Sequence, residues 1–415
     1  MELSKKKDKL NFDLLLVLAL FIVARISCPA LSNIPVFSIT FTFVYGAAFV
    51  LIYLFTVKSI KMQDFYLIVS AVCYTLYVFL RGFSAGNGLF ARDSFNAYII
   101  VFLTMIYIWV KEKPLPTKML LFKLIFLALI FDYVYSLYVL FRDPGASRTA
   151  AALGVLEASP YDILNAVGSF DAVYGGLSVI VILLYMRQIF KEKHIKNKTT
   201  LFVLILALAF VIIAAYGTAL VLLAVALALI LGQKNKVYSA AILFTIVIIL
   251  ICHEPVGQWI MDMSSGVTYS ETVSEKMNEV GYMLKTFEAA GTYAGESGRA
   301  VRLEWSWETF KDYPIFGGIG ITDAKIGGHS ELLDLPARFG FLGLAFVATY
   351  FICLYKNVRS GLLSKKMRTC WNIVMFVFVI SAALNPSLYS LQMMPMLLMM
   401  PLASSYVEMC ENQKR

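Results

Sequence analysis

The residues best suited to chemistry lie between 296 and 343. Arg299 and Arg302 stand one helical turn apart, a spacing that lets two planar guanidinium forks reach one diphosphate. The same spacing also suits an interfacial helix resting its basic face on lipid headgroups, and Arg302 has Glu304 and Glu308 within pairing reach. His329 follows Gly327-Gly328, a flexible approach that fits either a structural hydrogen-bonder or a general base for a hydroxyl, given an ordinary pKa of about 6.5. The chain has 3 histidines: His194 sits in a basic stretch, and His253, beside Glu254, closes an apolar run. Glu331, Asp334 and Arg338 fall at i, i+3 and i+7 and share one helix face. Acids in a first turn favour the helix dipole, and Asp334 is spaced to pair with Arg338; a carboxylate orienting His329 is the other use. Gly317-Gly318-Ile319-Gly320 has neither a preceding strand nor a following Gly-Lys-Ser/Thr, so it reads as a tight turn after Pro314 and not as a nucleotide loop.

These groups are set among apolar segments. Of 415 residues, 60% are hydrophobic and 15% charged, against about 25% charged in soluble proteins. Runs of span length give an all-α polytopic membrane protein. Spans are expected at 11–27, 36–57, 65–81, 94–110, 119–141, 168–190, 199–214, 216–231, 237–253, 331–355, 370–385 and 391–407, about twelve transmembrane helices. The apolar run 199–231 would be about 50 Å long as one helix, against a hydrocarbon core of roughly 30 Å, so it is expected to break near Tyr216-Gly217-Thr218. With that break, the basic stretches around Lys5–Lys9, Lys58, Lys111–Lys118, Arg187–Lys198, Lys234, Lys356–Arg368 and the C-terminus share one side. The positive-inside rule makes that side, and both termini, cytoplasmic.

Two intervals then face outward: 142–167, which opens with the turn signal Asp143-Pro144-Gly145, and 254–330, with amphipathic stretches such as 271–288 expected to form short helices. The organisation is an N-terminal bundle over 1–253, an outer loop over 254–330 carrying the presumed site, and C-terminal spans over 331–415, integrated into one membrane domain. Met1–Lys9 leads into the first span without a small-residue cleavage site, so no cleaved signal is expected. Six scattered cysteines support neither a disulfide framework nor a zinc site. Arg81, Arg92, Arg142 and Arg148 fall near the outer surface, where snorkelling or loop solvation would account for them. Asp132 and Asp171, in apolar surroundings, are expected to face the bundle interior. The charge of +9 is distributed along cytoplasmic loops, which argues against a nucleic-acid partner.

The stretch 296–343 resembles the signature of O-antigen ligases and Wzy-type polysaccharide repeat-unit polymerases. Those families carry Arg-x(n)-Trp, then Pro-x-x-Gly-x-Gly, then His-Asn-x-x-Leu, then Gly-x-x-Gly at a helix start. The corresponding residues are Arg299, Arg302 and Trp305; Pro314, Gly317 and Gly320; His329 and Leu332; Gly340 and Gly343. Ser330 replaces the usual Asn, and Tyr216-Gly217-Thr218 replaces a turn that often holds arginine. The resemblance implies a membrane glycosyltransferase at the outer face of the cytoplasmic membrane, polymerising polyprenyl-diphosphate-linked oligosaccharides into capsule or O-antigen. His329 would be catalytic. Arg299 and Arg302 would bind diphosphate, with Arg148 supplying the charge missing at 216–218, and Glu331, Asp334 and Arg338 in support. Donor and acceptor would both be lipid-linked, and a flippase and a chain-length regulator are implied as partners. No cofactor or metal is expected, since arginines can stabilise the leaving diphosphate and no Asp-x-Asp motif is present. Ligase-type transfer to another acceptor is the alternative within the superfamily. A lipid-oligosaccharide flippase is the alternative of a different class, since it too would show many spans and buried charges.

Overall fold

The computed structural model describes residues 2–28, 30–31, 34–57, 59–84, 92–142, 146, 168, 170–195, 197–214, 216–233, 237, 252–266, 274, 277–278, 281–282, 285, 299–362, 364–385, 388 and 390–414. Among them every regular element is helical. In chain order these are α1 (Glu2–Ser27), α2 (Ile39–Thr56), α3 (Met62–Ser84), α4 (Arg92–Lys111), α5 (Leu115–Arg142), α6 (Phe170–Glu192), α7 (Lys198–Ile213) and α8 (Gly217–Gly232). They are followed by α9 (His253–Ser265), α10 (Arg299–Asp312), α11 (Glu331–Gly361), α12 (Lys365–Leu384) and α13, which starts at Ser390–Met394 and passes through a π-helical turn, Pro395–Met399, into Met400–Lys414.

Seven helices among the described residues are long and apolar enough to cross a membrane: α2, α3, α5, α6, α11, α12 and α13. Three shorter apolar helices accompany them, α7, α8 and the Asn96–Lys111 part of α4. The protein is a multi-pass membrane protein. The apolar run 199–231 is divided as its length requires: α7 ends at Ile213, Tyr216 caps α8, and each half has 16 residues. The expected span 237–253 lies almost wholly outside the described residues. His253 is the first residue of α9. Most of the expected short helices over 271–288 and all of 286–298 are likewise outside them.

Local chemistry sets the helix ends. Ser38, Asn197 and Ser364 each accept a hydrogen bond from the backbone N–H three residues on, which caps α2, α7 and α12. α6 is the most enclosed helix, with α7, α8, α12 and α13 packed around it. A second group, α3, α4 and α11, carries α10 on one end. Polar side chains join this group inside its apolar core. Thr104 and Tyr350 share a hydrogen bond of 3.0 Å, and Tyr107 donates to Asn357 at 2.8 Å. Asp132 is buried in the bundle as expected, at 1% exposure.

One span differs from its expected form. α11 is not continuous from Glu331: Gly340 has φ 68° and ψ −169°, so a half-helix 331–339 meets a second helix, 341–361, at a break. The second part has 21 residues, about 31 Å of rise, enough to cross the hydrocarbon core by itself.

Candidate functional site

The site is built on that break. A helix interrupted at Gly340 strands carbonyls before it and N–H groups after it, and in an apolar setting each must find a partner. The turn after α10 supplies them. Gly318 N–H donates to the Ala337 carbonyl (2.7 Å) and Ile319 N–H to that of Arg338 (3.2 Å). In return, Phe341 N–H donates to the Pro314 carbonyl (2.7 Å) and Leu342 N–H to that of Ile315 (3.3 Å). Backbones approach so closely that side chains are excluded on both. A Cβ on Gly317 would stand 2.2 Å from the Arg338 oxygen, and one on Gly340 2.2 Å from the Ile315 oxygen. Both glycines also have positive φ, at 75° and 68°. α3 reinforces this clasp. Tyr77 donates to the Phe339 carbonyl at 2.8 Å, and Arg81 donates to the Gly317 carbonyl at 3.1 Å. Arg81 therefore does more than snorkel: its guanidinium is turned inward onto the turn.

Asp334 organises the polar half. It is 1% exposed, and one carboxylate oxygen accepts from the Ser306 hydroxyl (2.5 Å) and from Gly328 N–H (3.2 Å). The other accepts from Ser330 N–H at 2.8 Å. Ser306 in turn accepts from Gly327 N–H at 2.9 Å. The three residues flanking His329 are thus bonded to a buried carboxylate or to the hydroxyl that it holds. A Cβ on Gly327 would lie 2.0 Å from the Arg302 oxygen, so the loop lies flat against α10. Ser330 donates from its hydroxyl to the Ala383 carbonyl (2.8 Å), and Glu331 N–H donates to that of Asn385 (3.2 Å), anchoring the loop to the end of α12.

The expected Asp334–Arg338 pair does not form, because the Asp334 carboxylate is taken by the loop. Arg338 instead pairs with Glu331 at 2.9 Å, and its Nε donates to the Asp334 backbone carbonyl at 3.3 Å. Nor does Asp334 touch His329. It positions that residue through the backbone on both sides.

His329 and Arg302 meet, with 3.1 Å between a guanidinium NH1 and the imidazole Nε2. Guanidinium has no acceptor, so Arg302 donates, Nε2 accepts, and the ring is the neutral tautomer with its proton on Nδ1. The Nε of Arg302 is buried and has no hydrogen-bond partner. That is a desolvated cationic donor beside an imidazole, suited to an anion with several oxygens. Nearby, Lys325 lies 5.4 Å from the Trp305 ring centre, and its carbonyl accepts from Thr309.

Among the residues expected at the site, Arg302, His329, Glu331, Asp334 and Arg338 come together here. Arg299 begins α10 at i−3 from Arg302, but its side chain lies outside the described residues, and Arg148 lies outside them altogether. Ser306 and Arg81 were not expected. Ser306 had a readable signal, since 299, 302 and 306 share one face of α10. Arg81 had only that of a basic residue inside an apolar run. No protein-family model matches the chain, and no curated protein matches it.

Proposed function

We propose that this protein is a membrane glycosyltransferase of the O-antigen ligase and Wzy-type superfamily. It would polymerise polyprenyl-diphosphate-linked oligosaccharide units at the outer face of the cytoplasmic membrane. The observation that carries the reading is the Arg302–His329 contact, held on a loop that Asp334 and Ser306 immobilise. In the resting state Arg302 occupies the Nε2 lone pair. A diphosphate entering the site draws the guanidinium to its own oxygens, and Nε2 becomes free to accept a proton. The acceptor hydroxyl oxygen then bonds to the anomeric carbon of the donor, and its proton passes to Nε2. The bond from that carbon to the diphosphate oxygen breaks, and the electron pair leaves with the diphosphate, whose growing charge Arg302 and Arg299 offset.

The side assignment is supported by how the ends of α3 are used. Its first turn, next to the basic stretch at 58–61, meets Lys111 and Asn357, the latter within Lys356–Arg368, whereas Arg81 near its other end meets Gly317. Charge-rich loops and the candidate site therefore occupy opposite ends of the same helices.

The test is a deletion strain complemented with wild type or with His329→Gln, scored for surface polysaccharide length. Glutamine can hydrogen-bond but cannot take up the proton, so only single repeat units should reach the surface. Normal chain lengths from His329→Gln would remove the general-base role. In the strain without the gene, free lipid-linked polymer would identify a ligase, and lipid-linked single units trapped inside would identify a flippase.

A further inference from the structure

We infer that the turn Tyr313–Gly317 lies at the bilayer surface, with its apolar side chains Ile315 and Phe316 inserted among the acyl chains. It belongs to a long polar interval and would ordinarily be assigned to water. Its side chains say otherwise. Ile315 and Phe316 are 58% and 55% exposed, and Phe341, whose N–H is bonded to Pro314, is 62% exposed beside them. The end of α3 that delivers Arg81 to the turn presents Leu80 and Phe83, both more than half exposed. These five large apolar groups continue the outward-facing apolar surfaces of the two spans next to them, represented by Leu76 on α3 and Ile352 on α11. Acyl chains are the occupant that suits these side chains, with the exposed Lys311 and Asp312 marking the polar border of the surface.

The backbone is fitted to the same environment. Irregular chain survives at membrane depth only where protein satisfies its polar groups. Here the carbonyls of Tyr313, Pro314, Ile315 and Gly317 accept, and Gly317, Gly318 and Ile319 donate, while Pro314 has no N–H. The Ile315 and Phe316 N–H groups and the Phe316 carbonyl have no protein partner among the described residues and keep this backbone at the level of the headgroups. Arg81, the charged side chain that bonds to the turn among the described residues, is directed at a carbonyl. Immediately before it, Lys311 and Asp312 are exposed and polar, so the chain leaves the aqueous side between Asp312 and Pro314. The inference depends on the fold alone and holds whatever reaction the site performs.

Tryptophan introduced at position 316 reports the surroundings directly. The full chain carrying Phe316→Trp is reconstituted in vesicles of ordinary phospholipid or of phospholipid brominated along the acyl chain, and the emission of the 5 native tryptophans is subtracted using wild type. The added emission is expected to be blue-shifted, to be mostly lost in brominated lipid and to resist aqueous iodide. Asp323→Trp, in the loop beyond the turn, should show the reverse. If Phe316→Trp is quenched by iodide and untouched by brominated lipid, the turn is solvated and the inference fails. Phe341→Trp provides the same reading from the α11 side should the first variant not fold.

Discussion

α3, α4 and α11 carry a polar assembly at each end, and the two are built differently. At the Asp64 end every group is committed. Asp64, 1% exposed, accepts from Lys111 and from Asn357, both at 2.7 Å, and the Asn357 oxygen accepts from Tyr107 (2.8 Å) and Lys111 (3.0 Å). One negative and one positive charge cancel in a closed ring that pins three helices. At the other end Arg81, Arg302 and Arg338 lie beside Glu331 and Asp334, and the buried Arg302 Nε–H has no hydrogen-bond partner among the described residues. A buried donor left unpaired is expensive unless something arrives to meet it. The contrast separates a fastener from a receptor made of the same residue types.

Substitutions at the two ends should fail in different assays. The largest effect is expected from His329→Ala. Loss of a positioned base should lower polymer formation about 10²–10⁴-fold, while the melting temperature of the purified protein stays at the wild-type value. A parallel drop in melting temperature would make His329 a structural residue. Asp64→Ala should do the opposite. It strands Lys111 in a buried setting and should destabilise the protein by roughly 3 kcal/mol, near the low end for breaking a buried pair because Lys111 keeps 22% exposure. The polymer made by whatever protein survives should have normal chain length. Equal loss of chain length would erase the distinction between the two ends.

Gly340→Ala tests the clasp that carries the receptor end. The backbone conformation alone, a region open essentially to glycine, costs about 1–3 kcal/mol, and the Ile315 carbonyl must also retreat, so activity should fall more steeply than the helical signal in circular dichroism. The smallest expected effect comes from Ser306→Ala, which unseats one acceptor of the Gly327 N–H and one donor to Asp334, worth about 1–3 kcal/mol. A misplaced His329 loop should lower kcat and leave KM close to normal, and Ser306→Thr should restore much of it. An effect on stability alone, without the kcat change, would reduce Ser306 to packing.

Much of the fold could be read from the chain because each apolar run has a length that only a few arrangements can bury. The division of 199–231 followed from that length. The break at Gly340 was not readable, since Phe339-Gly340-Phe341 looks like one more stretch of apolar helix. Its cause is a turn more than twenty residues upstream, whose carbonyls and N–H groups replace those of the helix. The i, i+4 spacing of Asp334 and Arg338 was equally misleading. Helix geometry permits Arg338 to reach either position 334 or 331, and the choice was made by N–H groups of the His329 loop that compete for Asp334. Arg302 and His329 were each visible as residue types, but their contact, 27 positions apart, depends on the tertiary fold.

The bonds from α3 to the clasp span long stretches of chain: Tyr77 to Phe339 across 262 positions and Arg81 to Gly317 across 236. At roughly 5–20 residues per second, a ribosome needs about 10–50 s to make the turn that receives Arg81. Through that delay a finished membrane helix carries an arginine whose destination has not yet been synthesised. Biogenesis of this protein therefore has a waiting period written into it, in which the end of α3 exists before the Gly317 carbonyl that it will hold.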